Sequence, residues 1–147
     1  MKILVDADAC PMKNEILDLA QKARIKVVMI ASMAVELPQN DNCEIVIVDQ
    51  EKDAADFAIV NRTEENDIVI TDDYGLAALV IEKVKVISTK GHIYKKEDML
   101  GKLTMRHIGQ KIRRAGGKTK GPKKYSIEDK NRFIKNLSRI LGLSHFR

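Results

Sequence analysis

Carboxylates recur in this sequence where short apolar runs end. Asp6 and Asp8 follow the run at 2–5, Asp72 and Asp73 follow the run ending at Thr71, and Asp53 and Asp56 stand three apart soon after the run at 44–48. Side chains alternate in extended chain, so Asp6 and Asp8 can face the same way, and residues three apart share one face of a helix. Carboxylates gathered in one place repel each other and raise their own pKa values unless a cation neutralises them. Hard oxygen donors of this kind suit Mg²⁺ or Mn²⁺, which keep several waters and bind through few carboxylates plus substrate phosphate. No histidine lies near these segments, which disfavours zinc. Each acid also has a local alternative: Asp8 capping the first helix, Asp53 favouring a helix N-terminus, Asp72 turning the chain after its strand.

The elements that must position these acids follow from periodicity. Apolar runs of strand length alternate with longer segments of helical spacing, the pattern of repeated βα units. Strands are expected at Lys2–Val5, Lys26–Ala31, Glu44–Val48, Ile68–Thr71 and Val84–Ser88. Pro11 suits a first helical position, so the first helix should run from there to Arg24, with Ile16, Leu17, Ala20 and Ala23 on its apolar face. Helices follow near Lys52–Asn61 and Gly75–Lys83, the latter with Leu76, Leu79 and Val80 inward. The fold class is α/β: a five-stranded, mostly parallel sheet flanked by helices, with right-handed crossovers. In such a sheet, residues just beyond the carboxyl ends of the strands line the ligand crevice, which is where the acids fall.

Beyond residue 90 the chain changes character. Helical spacing at Lys96–Leu103 and Thr104–Arg114 leads into a Gly-Gly-Lys-Thr-Lys-Gly-Pro loop at 116–122, the credible hinge, and then a helix from Ile127 to Leu141. Ser126 and Asp129 read as a capping box, and Phe133, Ile134, Leu137, Ile140 and Leu141 form a core stripe. Residues 1–89 carry 9 Lys/Arg and 17 Asp/Glu, net −8, whereas 90–147 carry 17 and 4, net +13. An acidic half joined to a basic half suggests a metal site beside a polyanion-binding surface, against the plainer reading of solvated lysine faces. Arg106, Arg113, Arg114, Lys118, Lys120, Lys123 and Lys124 are the candidate phosphate contacts. With 147 residues and 44% hydrophobic content, the chain suits a single domain, acidic at 1–89 and extended by basic helices at 90–147. No run is long enough to cross a membrane and no signal-peptide core opens the chain, so a cytoplasmic location is expected. Cys10 and Cys43 have no ligand or disulfide spacing and are read as reduced thiols, Cys10 a small buried hydrophobe and Cys43 partly buried.

Five segments together resemble the YaiI/YqxD family: Met1-Lys-Ile-Leu-Val-Asp-Ala-Asp-Ala-Cys-Pro11, Asp53-Ala-Ala-Asp56, Asp67-Ile-Val-Ile-Thr-Asp-Asp-Tyr-Gly-Leu-Ala77, Leu103-Thr-Met-Arg106 and the Gly-rich stretch from Thr119 to Pro122. The family in turn is similar to PIN-domain nucleases, which hold Mg²⁺ or Mn²⁺ with acidic side chains and cut RNA. That resemblance implies Asp6 as the first-strand ligand, Asp53 or Asp56 as the mid-chain acid, and Asp73 as the ligand in Thr71-Asp72-Asp73. Lys120 stands where relatives often carry glycine.

The expected function is thus a metal-dependent nuclease. Asp6, Asp8, Asp56 and Asp73 would be its catalytic carboxylates, Asp6, Asp53, Asp56 and Asp73 its Mg²⁺ or Mn²⁺ ligands, and RNA rather than DNA its substrate, the last by analogy alone. A haloacid-dehalogenase-like phosphatase is the second reading, with Asp6 as nucleophile, Asp8 as acid/base, Ser32 after the second strand and Asp72-Asp73 after the fourth. A non-catalytic nucleic-acid-binding protein is the third. Monomer and homodimer both stay open.

Overall fold

The structure is a computed structural model and describes residues 1–8, 10–32, 41–51, 53–99 and 124–143. Five strands, β1 (Lys2–Asp6), β2 (Lys26–Ala31), β3 (Cys43–Ile47), β4 (Ile68–Ile70) and β5 (Lys85–Ile87), form one sheet in the order β3-β2-β1-β4-β5. Every strand pairing is parallel; an isolated antiparallel bridge, Ile87 to Ile93, is the sole departure among the described residues. The helices are α1 (Lys13–Ala23), α2 (Ala54–Arg62), α3 (Tyr74–Val80) and α4 (Ile127–Ile140). Residues 96–99 are also helical. The remainder of the helix expected to end at Leu103, the helix at Thr104–Arg114 and the 116–122 loop lie outside the described residues.

Both faces of β1, β2, β4 and β5 are covered, as a parallel sheet requires, whereas the edge strand β3 leaves Ile45 and Ile47 exposed. On one face Ile3, Val5, Val27, Met29, Ile68, Ile70 and Ile87 pack with Ile16, Leu17, Leu19 and Ala20 of α1 and with Phe133 and Leu137 of α4. On the other, Leu4, Val28, Ile30, Val69 and Val86 pack with Ile59 of α2, Leu76, Ala77 and Val80 of α3, and Tyr94 and Met99. The strands therefore carry apolar residues at successive positions, which explains why they read as runs rather than as alternation. α4 opens on the expected capping box: the Asp129 amide donates to Ser126 Oγ (3.1 Å) and the Ser126 amide to Asp129 Oδ2 (3.0 Å). Burying Phe133 and Leu137 completely contributes about 1.5–3 kcal/mol each, so α4 belongs to the core of this fold.

Two local expectations are corrected. α1 begins at Lys13 rather than Pro11, because Pro11 and Met12 still turn: the Cys10 amide bonds Ala7 O, and the Ile16 amide reaching Met12 O makes the helix's opening bond. Leu79 is 69% exposed rather than inward. α3 presents Leu76, Ala77 and Val80 to the sheet, and with 3.6 residues per turn Leu79 projects about 100° away from the centre of that face.

Candidate functional site

From β1 the chain winds outward through β2 to β3, then returns to lay β4 on the opposite side of β1. The connections therefore diverge between β1 and β4, and the carboxyl ends of these two strands bound the crevice where ligands of open α/β sheets bind. Register decides what meets there. Val5 pairs with Ile70, so the next residues, Asp6 and Thr71, come level across the switch. The buried Thr71 hydroxyl donates to Asp6 Oδ2 (3.1 Å) and accepts the Asp73 amide (3.1 Å), which fixes the carboxylate of one strand against the turn of the next.

Asp6 is half-buried, and its pKa is raised above the ordinary carboxylate value. Burial is the main cause; the hydrogen bond from Thr71 opposes it, and the charges of Asp8, Asp73 and Asp72 push it up further. Three acids from the ends of two strands thus act on the Asp6 carboxylate.

All three are also tied into the fold. Asp73 caps α3, its Oδ1 accepting the amides of Gly75 (2.7 Å) and Leu76 (3.2 Å), which is worth about 1 kcal/mol. Asp8 does not cap α1, whose N-cap is Met12. It reaches sideways to the loop after β2, where the Ser32 amide (2.9 and 3.1 Å) and hydroxyl (2.8 Å) donate to its two oxygens. Asp72 does the same on the other flank: the Thr89 amide (2.8 Å) and hydroxyl (2.7 Å) donate to its two oxygens. One clasp joins the end of β1 to that of β2, and the other joins the end of β4 to that of β5.

The clasp between Asp72 and Thr89 continues into the C-terminal part of the chain. Thr89 O accepts the Tyr125 hydroxyl (2.7 Å), Lys90 O accepts Arg132 (3.1 Å) and Gly91 O accepts Asn136 Nδ2 (2.7 Å). Gly91 has φ +90°, and a Cβ there would lie 2.6 Å from the Phe133 amide nitrogen, so the loop touches the α4 backbone directly. Burial pushes the Tyr125 phenol up to about 12, with the charges of Asp129, Cys10, Asp72 and Glu15 adding to it. On the opposite side of the sheet Tyr94 packs edge-on against Tyr74, centroids 5.5 Å apart, and burial raises its pKa as well.

Asp53 and Asp56 stand at the start of α2, on the crevice end of the sheet because α2 follows β3. Asp53 takes the N-cap position at φ 72° with no side-chain cap bond and is exposed; Asp56, in the first turn, is half-buried. Among the described residues no three His, Cys, Asp or Glu side chains converge closely enough to cage an ion by themselves. Cys10 is buried as expected, and burial, offset only in part by the Met12 amide and the charge of Lys13 and reinforced by the charges of Asp72 and Asp6, pushes its thiol up to about 11, so it is inert at neutral pH. Of the basic candidates Lys124 is exposed one residue before Tyr125; Arg106, Arg113, Arg114, Lys118, Lys120 and Lys123 lie outside the described residues.

The partners that the sequence reading did not assign are Thr71, Ser32 and Thr89 as hydrogen-bond donors to the acids, and Lys13, whose ammonium sits 2.8 Å from Cys10 O. A signal for the first three exists. Buried strands β1, β2, β4 and β5 each give way to a hydroxyl or carboxylate within two residues of their last apolar position, which is the mark of a shared polar edge.

The chain matches, over residues 4–142, the family model described as "Uncharacterized BCR, YaiI/YqxD family". It is 41% identical over 140 residues to a UPF0178 protein of Shouchella clausii, covering 95% of this chain and 91% of the relative. It is 48% identical over 131 residues to a UPF0178 protein of Alkaliphilus oremlandii, covering 88% and 84%, and 40% identical over 142 residues to one of Halalkalibacterium halodurans, covering 96% and 90%. No solved structure matches the chain. A family model spanning nearly every element from β1 through α4, with relatives aligned over almost their full length, establishes that the chain belongs to the YaiI/YqxD family.

Proposed function

We propose that this protein is a metal-dependent phosphodiesterase acting on nucleic acid, with RNA the favoured substrate. The observation that carries this reading is Asp6: a half-buried carboxylate at the switch of a parallel sheet, hydrogen-bonded by Thr71 and crowded by Asp8, Asp73 and Asp72. Such crowding is relieved by a cation. The donor set is all oxygen, which suits Mg²⁺ or Mn²⁺, ions that keep water and substrate oxygens in most positions. Asp6 and Asp73 would hold the ion. Asp56 is the better third acid, half-buried where Asp53 is exposed.

When bound, the ion supplies a Lewis acid that offsets charge growing on the phosphate oxygens. The chain's own residues do the positioning: Thr71 fixes Asp6, the α3 amides fix Asp73, and the clasps of Asp8 and Asp72 tie the ends of β1 and β4 to those of β2 and β5. The basic half, net +13, supplies the attraction for a polyanion. An aspartyl-phosphate mechanism asks Asp8 to move a proton, yet both Asp8 oxygens already accept hydrogen bonds from Ser32, which favours the hydrolytic reading.

The test is incubation of the purified protein with end-labelled RNA and DNA in Mg²⁺, Mn²⁺ or chelator. Cleavage of RNA that needs the ion is the expected result. Tight binding without cleavage in any ion would overturn the enzymatic reading in favour of a nucleic-acid-binding protein, and a trapped aspartyl-phosphate would favour the phosphatase.

A further inference from the structure

We infer that the outer edge of β3 is a docking site for an extended, basic segment of a partner protein, which joins the five-stranded sheet as a further strand. This role is independent of how the crevice is read. The phase of the β3 ladder shows what the edge offers. The Val27 amide donates to Asn42 O (2.7 Å) and the Val48 amide to Ala31 O (2.8 Å), so with an unbroken register from Cys43 to Ile47 the even-numbered residues bond to β2. The amides and carbonyls of Cys43, Ile45 and Ile47 therefore point away from the sheet. Their side chains lie on its α1 side, in register with Val27, Met29 and Ala31, and Ile45 and Ile47 are 41% and 54% exposed.

The two edges of the sheet differ. At β5 the chain turns back on itself: Ile93 bridges Ile87, the Tyr94 amide donates to Val86 O (2.9 Å) and the Ser88 amide to His92 O (2.9 Å), which occupies outward groups of that strand. No described residue pairs with β3 on its outer side. Open apolar edges pair with other chains, and lysine, proline or a bulge commonly prevents it. β3 reads Cys-Glu-Ile-Val-Ile and has none of these three. Charge selects the occupant. Residues 41–51 contain Asp41, Glu44, Asp49 and Glu51, all exposed, and no lysine or arginine. A second copy paired antiparallel about Ile45 would set Asp41 of each copy opposite Asp49 of the other, and like charges directly opposite are destabilising. A basic strand meets the edge without that conflict. Because side chains alternate, its apolar residues would lie beside Cys43, Ile45 and Ile47, and its lysines or arginines beside Glu44 and the acidic flanks.

The experiment titrates a fluorescein-labelled peptide, Lys-Val-Lys-Val-Lys-Val-Lys, into the full chain, follows anisotropy, and reads amide exchange at Cys43, Ile45 and Ile47 by NMR. These three amides should exchange rapidly in the free protein and become protected when the peptide is added, and a peptide with glutamate in place of lysine should not bind. Ile45→Lys and Glu44→Lys, which alter exposed side chains on opposite faces of β3, should each weaken binding by about tenfold or more through like-charge contact. Leu79→Lys, at an exposed apolar position of α3, should bind as the wild type does. Protection of the three amides in the free monomer would mean that the chain covers its own edge, and protection lost on dilution of a dimer in sedimentation would make a second copy the occupant; either result overturns the inference. So would absence of binding, binding without protection at these amides, equal binding of the glutamate peptide, or an equal loss in Leu79→Lys.

Discussion

Gly91→Ala is the sharpest test of how the C-terminal helix is held against the crevice wall. The residue sits at φ +90°, where an L side chain costs roughly 1–2 kcal/mol. Its Cβ would meet the Phe133 amide nitrogen at 2.6 Å and the Arg132 carbonyl carbon at 2.7 Å. Both are backbone atoms of a helix whose Phe133 and Leu137 are wholly buried, so the overlap cannot be relieved by a rotamer change. Overpacking of this kind adds about 1–3 kcal/mol. The substitution should therefore cost roughly 2–5 kcal/mol, read as a lower urea midpoint with the denaturant slope retained, and at a few degrees per kcal/mol should lower Tm by roughly 5–15 °C. Because Thr89, Lys90 and Gly91 bond to Tyr125, Arg132 and Asn136, the same variant should also loosen α4 in amide exchange before global unfolding. A loss under about 1 kcal/mol would mean that loop and helix are not in the contact described, and the coupling between α4 and the Asp72 clasp would fall with it.

Ser138, in the same helix, supplies the contrast: its hydroxyl is buried with no partner among the described residues, so Ser138→Ala should be neutral or stabilising in the same melt, and a clear loss of stability would show that the hydroxyl has a partner. Asp6→Asn should raise the stability of the metal-free protein and abolish Mn²⁺ binding by calorimetry; unchanged Mn²⁺ affinity would remove Asp6 as a ligand. The sign with pH follows from its raised pKa: the folded state holds the Asp6 proton after the unfolded chain has lost it, so wild-type stability declines as pH rises from about 3.8 through the folded value, and Asp6→Asn should lack that decline. Asp73→Asn should fold normally, since asparagine caps as well as aspartate, yet lose Mn²⁺, whereas Asp73→Ala should also cost about 1 kcal/mol; equal Mn²⁺ binding in Asp73→Asn would confine Asp73 to capping. Changing Lys118, Lys120, Lys123 and Lys124 together to alanine should flatten the salt dependence of RNA binding by up to about 3 units while Mn²⁺ affinity stays put, and an unchanged slope would move the polyanion surface elsewhere.

The sequence by itself determined the parts that depend on neighbours along the chain. Strand and helix alternation follows from the period of apolar residues. The capping box at Ser126 and Asp129 follows from a spacing of three, and the placement of Asp6, Asp72 and Asp73 at strand ends follows from where the apolar runs stop. Even family membership is carried by short strings of residues. What the tertiary structure alone decided is pairing across long separations. The order β3-β2-β1-β4-β5, which puts β4 beside β1 and so creates the crevice, depends on which strand edges meet, and every buried parallel strand offers the same apolar pattern to each candidate partner. The partners of Asp8 and Asp72 lie 24 and 17 residues away, so neither clasp could be read from local capping preferences, which pointed to a cap and a turn instead. Leu79 faces solvent because the α3 face is fixed by where Leu76 and Val80 find the sheet, and Gly91 owes its necessity to a helix that returns some forty residues later to lie against it. Hydrophobic period is a property of a segment, whereas register, close approach and the gathering of like charges are properties of segments brought together.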